Sequence, residues 1–125
     1  HPVCYNGDIT SITEIEKIRT LSPMVHRFMI GRGILQQPFL LSEIRGQELT
    51  HDQRVRMIRD FHLSVIEYCK QKYSGDLHLL RRFVELWAYH SEAFEDGRKI
   101  FKNIKKWNTL AKYEGVIFKA ISDIK

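Results

Sequence analysis

Two short glycine-containing stretches carry the polar groups that could do chemistry in this sequence. One is Asn6-Gly7-Asp8, which follows a short apolar run, and the other is Gly31-Arg32-Gly33, which follows apolar residues 28–30. Glycine lets backbone N–H groups approach an anion closely and permits φ angles that other residues avoid, and arginine adds a planar, permanent charge. The positive end of a following helix would face the same point. The sequence therefore predicts a phosphate site formed by Asn6, Gly7, Asp8, Gly31 and Arg32.

The elements that must position these stretches are two strand–helix units. Residues 3–5 are predicted to be a short buried strand, and residues 28–30 are predicted to be the next strand. Between them, Thr10 or Ser11 is a candidate helix N-cap, with Glu14 placed to complete a capping box with Ser11, and the helix ends before Pro23. Two consecutive strand–helix units predict a parallel sheet, and ligands bind at the carboxyl ends of parallel strands. Both glycine stretches fall at that edge, so they could hold one phosphate together.

The rest of the chain, from residue 47 to residue 125, is predicted to be helical throughout. Thr50 and Gln53 form a candidate capping box. Apolar residues then recur at helical spacing in four segments, and these predict a bundle of three or four helices. The segments are 51–73, 77–94, 99–107 and 110–124.

Residues 1–46 are too small to form a closed sheet by themselves. Two short strands leave unpaired edges and an uncovered apolar face. We therefore expect these residues to be the end of a larger α/β domain and the chain to be a fragment of a longer protein. The exposed strand faces also predict self-association or disorder of this part.

The net charge of +5 is concentrated near the end of the chain. Residues 98–119 contain seven lysine or arginine residues and only one acidic residue, Glu114. Such a stretch favours a polyanion, either nucleic acid or an anionic membrane surface, although a basic helix face that is simply solvated has the same composition.

The remaining composition favours a reduced intracellular compartment and no metal. Neither an apolar run of about 18 residues nor a secretory leader pattern is present in the sequence. Cys4 and Cys69 lack CxxC spacing and are predicted to be buried, reduced thiols, which fits the cytoplasm. The six histidines show no metal-ligand spacing and are predicted to lie at the surface or at an interface.

The two glycine stretches, their spacing and the following Pro38 resemble the last two β/α units of the tRNA-dihydrouridine synthases. That family has a flavin-binding TIM barrel followed by a C-terminal helical tRNA-binding domain. The resemblance extends over residues 1–125 and implies a mixed fold. Residues 1–46 would be the incomplete end of a (β/α)8 FMN-binding barrel, and residues 47–125 an all-α bundle that binds tRNA. Arg81-Arg82, Trp87-Ala88-Tyr89, Phe94 and Phe101 most resemble the bacterial subfamily acting at position 16 of the tRNA D-loop.

The resemblance also implies roles for individual residues. Asn6, Gly7, Asp8, Gly31 and Arg32 would bind the FMN phosphate and its surroundings. Arg82, Tyr89 and Lys105 would contact tRNA, with Arg81 and Lys106 as alternatives if the alignment slips by one position. Arg82 and Tyr89 are seven residues apart and so share a helix face, where a cation and an aromatic ring suit phosphate contact and base stacking.

The resemblance implies no catalytic residue in this chain. The family's catalytic cysteine lies in the first half of the barrel, and neither Cys4 nor Cys69 matches its motif. The whole enzyme would reduce the C5–C6 double bond of a uridine with hydride from FMN, which NADPH reduces in turn.

Two other functions remain open at this point. The chain could belong to a different FMN-dependent TIM-barrel oxidoreductase, although its long helical tail argues against this. It could also be a non-enzymatic helical nucleic-acid-binding module in which Gly31-Arg32-Gly33 is only a turn.

We expect the isolated 125-residue chain to retain no stoichiometric flavin and to show no turnover, because most contacts to the flavin ring would lie elsewhere in the barrel. The absorption spectrum of the purified chain tests this expectation. A flavin spectrum at one equivalent per chain would contradict it.

Overall fold

The computed structural model describes residues 3–125, which form two short strands and a series of helices. His1 and Pro2 lie outside the described residues. The elements are β1 (Cys4–Asn6), α1 (Ile12–Leu21), β2 (Arg27–Met29), α2 (Arg32–Gln36), α3 (Leu40–Ile44), α4 (His51–Lys72), α5 (Asp76–His90), α6 (Gly97–Ile104) and α7 (Leu110–Ala120). Turns of 3-10 helix, Ser91–Ala93 and Ile121–Asp123, follow α5 and α7. The predicted order of elements is confirmed within these residues.

The two strands pair in parallel, as predicted. Tyr5 lies opposite Phe28, and their rings are 6.3 Å apart between centroids. Helix α1 covers this face of the sheet, where the Arg19 guanidinium lies 5.4 Å from the centroid of the Phe28 ring. Tyr5 and Phe28 are therefore half-buried, while the residues on either side of each are exposed.

The prediction that residues 3–5 form a buried strand is wrong for the other face of the sheet. Side chains alternate along a strand, so Cys4 points away from α1 and is exposed instead of buried. Met29 lies on the same face as Cys4 and is also more than half exposed, at 55%. The uncovered apolar surface that underlies the self-association hypothesis is present, and self-association itself stays a prediction.

Local capping explains where two of the helices begin. The Ser11 hydroxyl accepts from the Glu14 N–H, as predicted, but the Glu14 carboxylate accepts from the Thr10 N–H. At the start of α4, Thr50 and Gln53 satisfy each other's backbone N–H groups, so that predicted capping box is confirmed. Both caps offset unpaired donors of the first helical turn.

The main hydrophobic core lies between α4, α5, α6 and α7. Trp87 and Tyr113 are fully buried, and the Trp87 indole N–H donates to the Tyr113 hydroxyl at 2.9 Å. The Phe83 ring stacks on Tyr113, with centroids 4.4 Å apart. An isolated antiparallel β-bridge between Phe94 and Ile124 pairs residues near the end of the chain with the segment after α5.

Gly33 joins the two strand-end loops because it lies directly against the backbone of Ile9. A Cβ atom at residue 33 would collide with the Ile9 carbonyl oxygen, and both residues are buried. Glycine is required here for close approach of two backbones, and its φ angle is not positive. The loop after β2 is thereby held against the loop after β1.

Replacing Gly33 by alanine should destabilise the protein by about 2–3 kcal/mol, because the added methyl group must push the two loops apart. Urea denaturation measures the change in the free energy of unfolding. The matched control is Gly115→Ala, in the middle of α7, where the added methyl group meets open space. This control should stabilise the protein by up to about 1 kcal/mol through helix propensity. A Gly33→Ala variant as stable as the wild type would contradict the close approach.

Candidate functional site

Arg32 and Asp8 form an ion pair at the carboxyl ends of the two parallel strands. Asp8 lies in the loop after β1, and Arg32 begins α2 after β2. The Arg32 guanidinium donates to the Asp8 carboxylate, although both side chains are more than half exposed, at 60% and 70%. An ion pair this exposed adds little stability, so its main effect is on where the arginine points. The structure thus brings together one residue from each predicted stretch.

The two glycines of the predicted phosphate site, Gly7 and Gly31, have different surroundings. Gly31 caps α2 at φ −111°, in open space, and Gly7 lies against the Tyr5 ring. Among residues 3–125, positive φ angles occur only at Gly46 and Gly75. The expectation that the glycines of this site adopt φ angles denied to other residues is therefore wrong, and the approach of their N–H groups to an anion stays a prediction.

A cleft of about 330 Å³ extends from this ion pair to helix α5. Its lining includes Tyr89, so the aromatic residue predicted for RNA lies beside the arginine predicted for phosphate. Gln36 also lines the cleft and was missed by the sequence analysis. Its position four residues after Arg32, on the same face of α2, is the signal that could have found it. The lining residues are Asp8, Thr10, Arg32, Gly33, Gln36 and Tyr89.

The three residues predicted to contact tRNA do not form one cluster. Tyr89 lines the cleft, whereas Arg82 donates to the Glu85 carboxylate at 3.1 Å and lies over the Tyr73 ring. Lys105 lies at the C-terminal end of α6, with its ammonium 4.8 Å from the centroid of the Phe101 ring. Arg82 therefore points toward the end of α4, and Lys105 lines a different groove.

His62 and His90 form a buried pair directly behind the cleft. They are 1% and 0% exposed, and their Nε2 atoms are 2.8 Å apart. The Nδ1 atom of His90 lies 2.7 Å from the Leu35 carbonyl oxygen. Because a carbonyl can only accept, Nδ1 of neutral His90 carries the proton and its Nε2 accepts from the Nε2–H of His62. The prediction that every histidine lies at a surface or interface is wrong for these two.

The comparisons with known proteins identify the family. A family model for dihydrouridine synthase matches residues 1–121 of the 125-residue chain. This chain belongs to the dihydrouridine synthase family. The family is flavin-dependent and acts on tRNA. A search of curated proteins found no match.

Two features are absent from residues 3–125 of this dihydrouridine synthase chain. None of its helices combines the length and the apolar character that a membrane span requires. Within residues 3–125, no group of three or more His, Cys, Asp or Glu side chains is arranged to hold a metal ion.

The histidine pair connects the two parts of the dihydrouridine synthase chain through polar contacts. His62 lies on α4, His90 ends α5, and Leu35 belongs to α2, which also carries Arg32 and Gln36. Burial lowers the pKa of His90 to about 4. Burial, followed by the neighbouring charge of His90, lowers the pKa of His62 to about 3. Both rings are therefore neutral near pH 7, and the hydrogen bond from His90 links α5 to α2 without a charge on either ring.

Helical spacing was the signal that could have predicted these buried histidines. His62 falls on the same stripe of α4 as Ile58 and Ile66, both buried, and His90 falls three residues after buried Trp87 on α5. A histidine at such a position usually packs inside and finds a hydrogen-bond partner.

The buried pair should make the protein less stable as the pH falls. Below about pH 6.5, the unfolded histidines bind protons that the folded ones cannot, so acid favours the unfolded state. We expect the free energy of unfolding to drop between pH 7 and pH 4, by up to about 1.4 kcal/mol per pH unit for each histidine. Urea denaturation at several pH values measures this slope. A His62→Leu variant should lose part of the slope, and an unchanged stability from pH 7 to pH 5 would contradict the buried neutral pair.

Proposed function

We propose that this chain is part of an FMN-dependent tRNA-dihydrouridine synthase that reduces the C5–C6 bond of a D-loop uridine with hydride derived from NADPH. The family match supports the reaction class. The observation that carries the assignment to this chain is the Arg32–Asp8 pair at the carboxyl ends of two parallel strands, where ligands of α/β folds bind. We further propose that residues 1–46 belong to a TIM barrel and residues 47–125 to a tRNA-binding domain, in a cytoplasmic enzyme of the subfamily acting at position 16.

The residues around Arg32 fit the phosphate of FMN. The guanidinium is 60% exposed, so an anion can reach it, and the nearby Gly33 brings the second loop within reach of the same point. A phosphate at Arg32 would compete with the Asp8 carboxylate for the N–H groups of the guanidinium. With the phosphate bound, Asp8 would still orient the arginine side chain. Asn6, Gly7 and Gly31 complete the proposed phosphate-binding set. When bound, FMN supplies the hydride for the reduction.

The role we assign to this chain is binding and positioning rather than acid–base chemistry. Cys69 is buried, and burial raises the pKa of its thiol, while Cys4 lies on the open face of the sheet, away from α1. Neither thiol is assigned a catalytic role. In the whole enzyme, the flavin phosphate would lie at the Arg32 end of the cleft and the RNA would lie at the Tyr89 end.

The helical part supports tRNA binding through its basic surface and through Tyr89. All seven basic side chains between residues 98 and 119 are exposed and can therefore meet a polyanion. Tyr89 is half-buried at the cleft, where an aromatic ring can stack on an unpaired base. Lys105 and Arg82 are the proposed cationic contacts, although Arg82 is already paired with Glu85.

We expect the chain to prefer bulk tRNA to duplex DNA of equal charge, and to keep this preference at moderate salt. Fluorescence anisotropy at two salt concentrations measures both affinities. Tyr89→Ala should weaken tRNA binding about tenfold through loss of base stacking, whereas Tyr89→Phe, which keeps the ring, should bind nearly as well as the wild type.

Equal binding of tRNA and duplex DNA that disappears with salt would count against the proposal. That result would mean that the exposed basic side chains attract any polyanion by counterion release. Circular dichroism of both Tyr89 variants checks that the helices are intact.

A further inference from the structure

We propose that the buried pair of His62 and His90 positions the wall of the cleft that carries Arg32. His90 does so directly, through its hydrogen bond to the Leu35 carbonyl, and His62 does so indirectly, by selecting the tautomer in which His90 can make that bond. This inference rests on the proposed function, because it takes the Arg32 end of the cleft as the place of the flavin phosphate. Neither histidine lines the cleft itself, so both are positioning residues.

The hydrogen bond from His90 joins the two walls of the cleft. On one wall, Leu35 lies on α2 between Arg32 and Gln36, which both line the cleft. On the other wall, His90 directly follows Tyr89, which lines the cleft from α5. The Nδ1 atom of His90 lies 2.7 Å from the Leu35 carbonyl oxygen. A single bond between neighbours of the lining residues therefore sets how far the guanidinium lies from the Tyr89 ring.

The Leu35 carbonyl receives from His90 a hydrogen bond that its own helix does not supply. It belongs to the last turn of the five-residue helix α2, and carbonyl groups at that end of a helix lack partners within the helix. Pro38, three residues later, has no N–H to donate. Without the imidazole, the carbonyl would have to turn toward water, and α2 would move with it.

The tautomer of His90 is the property that His62 controls. A neutral imidazole carries its proton on one nitrogen only, so His90 can donate to Leu35 only when Nδ1 is protonated. The Nε2 atoms of the two rings are 2.8 Å apart, and donation from His62 to Nε2 of His90 favours that tautomer. Phe61 and Phe94 lie beside His90, with ring centroids 5.6 and 5.0 Å away, and offer no competing hydrogen bond. His62 on α4 thereby influences α2 through α5.

The tautomers can be read in the wild-type chain from long-range proton–nitrogen NMR spectra of the imidazole rings at pH 7. We expect the proton on Nδ1 of His90 and on Nε2 of His62. A His90 ring that carries its proton on Nε2 would overturn the proposal without any substitution.

Substitutions by amides separate the two hydrogen bonds of the pair. The amide nitrogen of asparagine takes about the place of Nδ1 of histidine, and that of glutamine the place of Nε2. His90→Asn therefore keeps a donor for Leu35, whereas His90→Gln loses it and keeps the contact with His62. His62→Gln keeps the donor to His90, and His62→Leu removes it. The matched control is His78→Gln, at an exposed histidine of α5.

Inorganic phosphate is the probe for the Arg32 end of the cleft. It is titrated at constant ionic strength into the whole chain, while NMR follows the Nε–H of Arg32 and the backbone N–H of Tyr89. We expect His90→Gln and His62→Leu to weaken phosphate binding about tenfold, because a hydrogen bond to a charged group is lost when its donor is misplaced. His90→Asn and His62→Gln should stay within about threefold of the wild type, and the control should be unchanged.

Urea denaturation distinguishes positioning from a merely structural role. His90→Asn and His90→Gln each lose one of the two hydrogen bonds of His90, so they should lose similar stability, and only positioning predicts different phosphate affinities. Equal affinity in these two variants would overturn the proposal. If either fails to fold, the two His62 variants and the wild-type tautomers decide.

The proposed function fails in a different way from this inference. No phosphate-dependent shift at Arg32 in the wild type would defeat the flavin-phosphate site and the inference with it. A shift at Arg32 with the same affinity in every histidine variant would overturn the inference alone and leave the phosphate site in place.

Discussion

The position of the short helix α2 is the constraint on which the candidate site depends. A five-residue helix has too few internal hydrogen bonds to hold itself in place, so its neighbours must do so. On one side, Gly33 lies against the Ile9 carbonyl, and on the other, His90 donates to the Leu35 carbonyl. Both contacts are made to backbone atoms, which cannot rotate away as side chains can. Arg32 and Gln36 therefore face Tyr89 across a cleft whose two walls come from different parts of the chain.

The histidine pair illustrates how polar groups can specify a packing arrangement inside an apolar core. The rings are surrounded by Phe61, Trp87 and Phe94, which offer no competing acceptor from their rings. Within that environment, His90 has one donor for Leu35 and one acceptor for His62, and both are used. A shift of α2 along α5 would leave at least one of these groups unpaired and buried, at a cost of about 1–3 kcal/mol.

Sequence reasoning succeeded where the determinants are local. The start of α4 followed from Thr50 and Gln53, and the parallel pairing of the strands followed from the order of elements. It failed where the outcome depends on which neighbour covers a face. Nothing in the residues around Cys4 shows that α1 covers only the opposite side of the sheet. Likewise, the adjacent arginines 81 and 82 look equivalent in sequence until Glu85 and Tyr73 are placed beside the second of them.

Because one cysteine is exposed and the other is buried, a thiol reagent can label the folded protein at a single position. Alkylation requires an accessible thiolate, which Cys4 can offer on the open face of β1 and which burial denies to Cys69. A maleimide dye will therefore attach at one position in the folded chain without any engineered cysteine. That position lies on the strand whose end leads to Asp8, so a fluorophore there can report on ligands arriving at the strand ends. Cys69 becomes reactive when the helices unfold. The fraction of molecules labelled at both cysteines then measures the unfolded fraction.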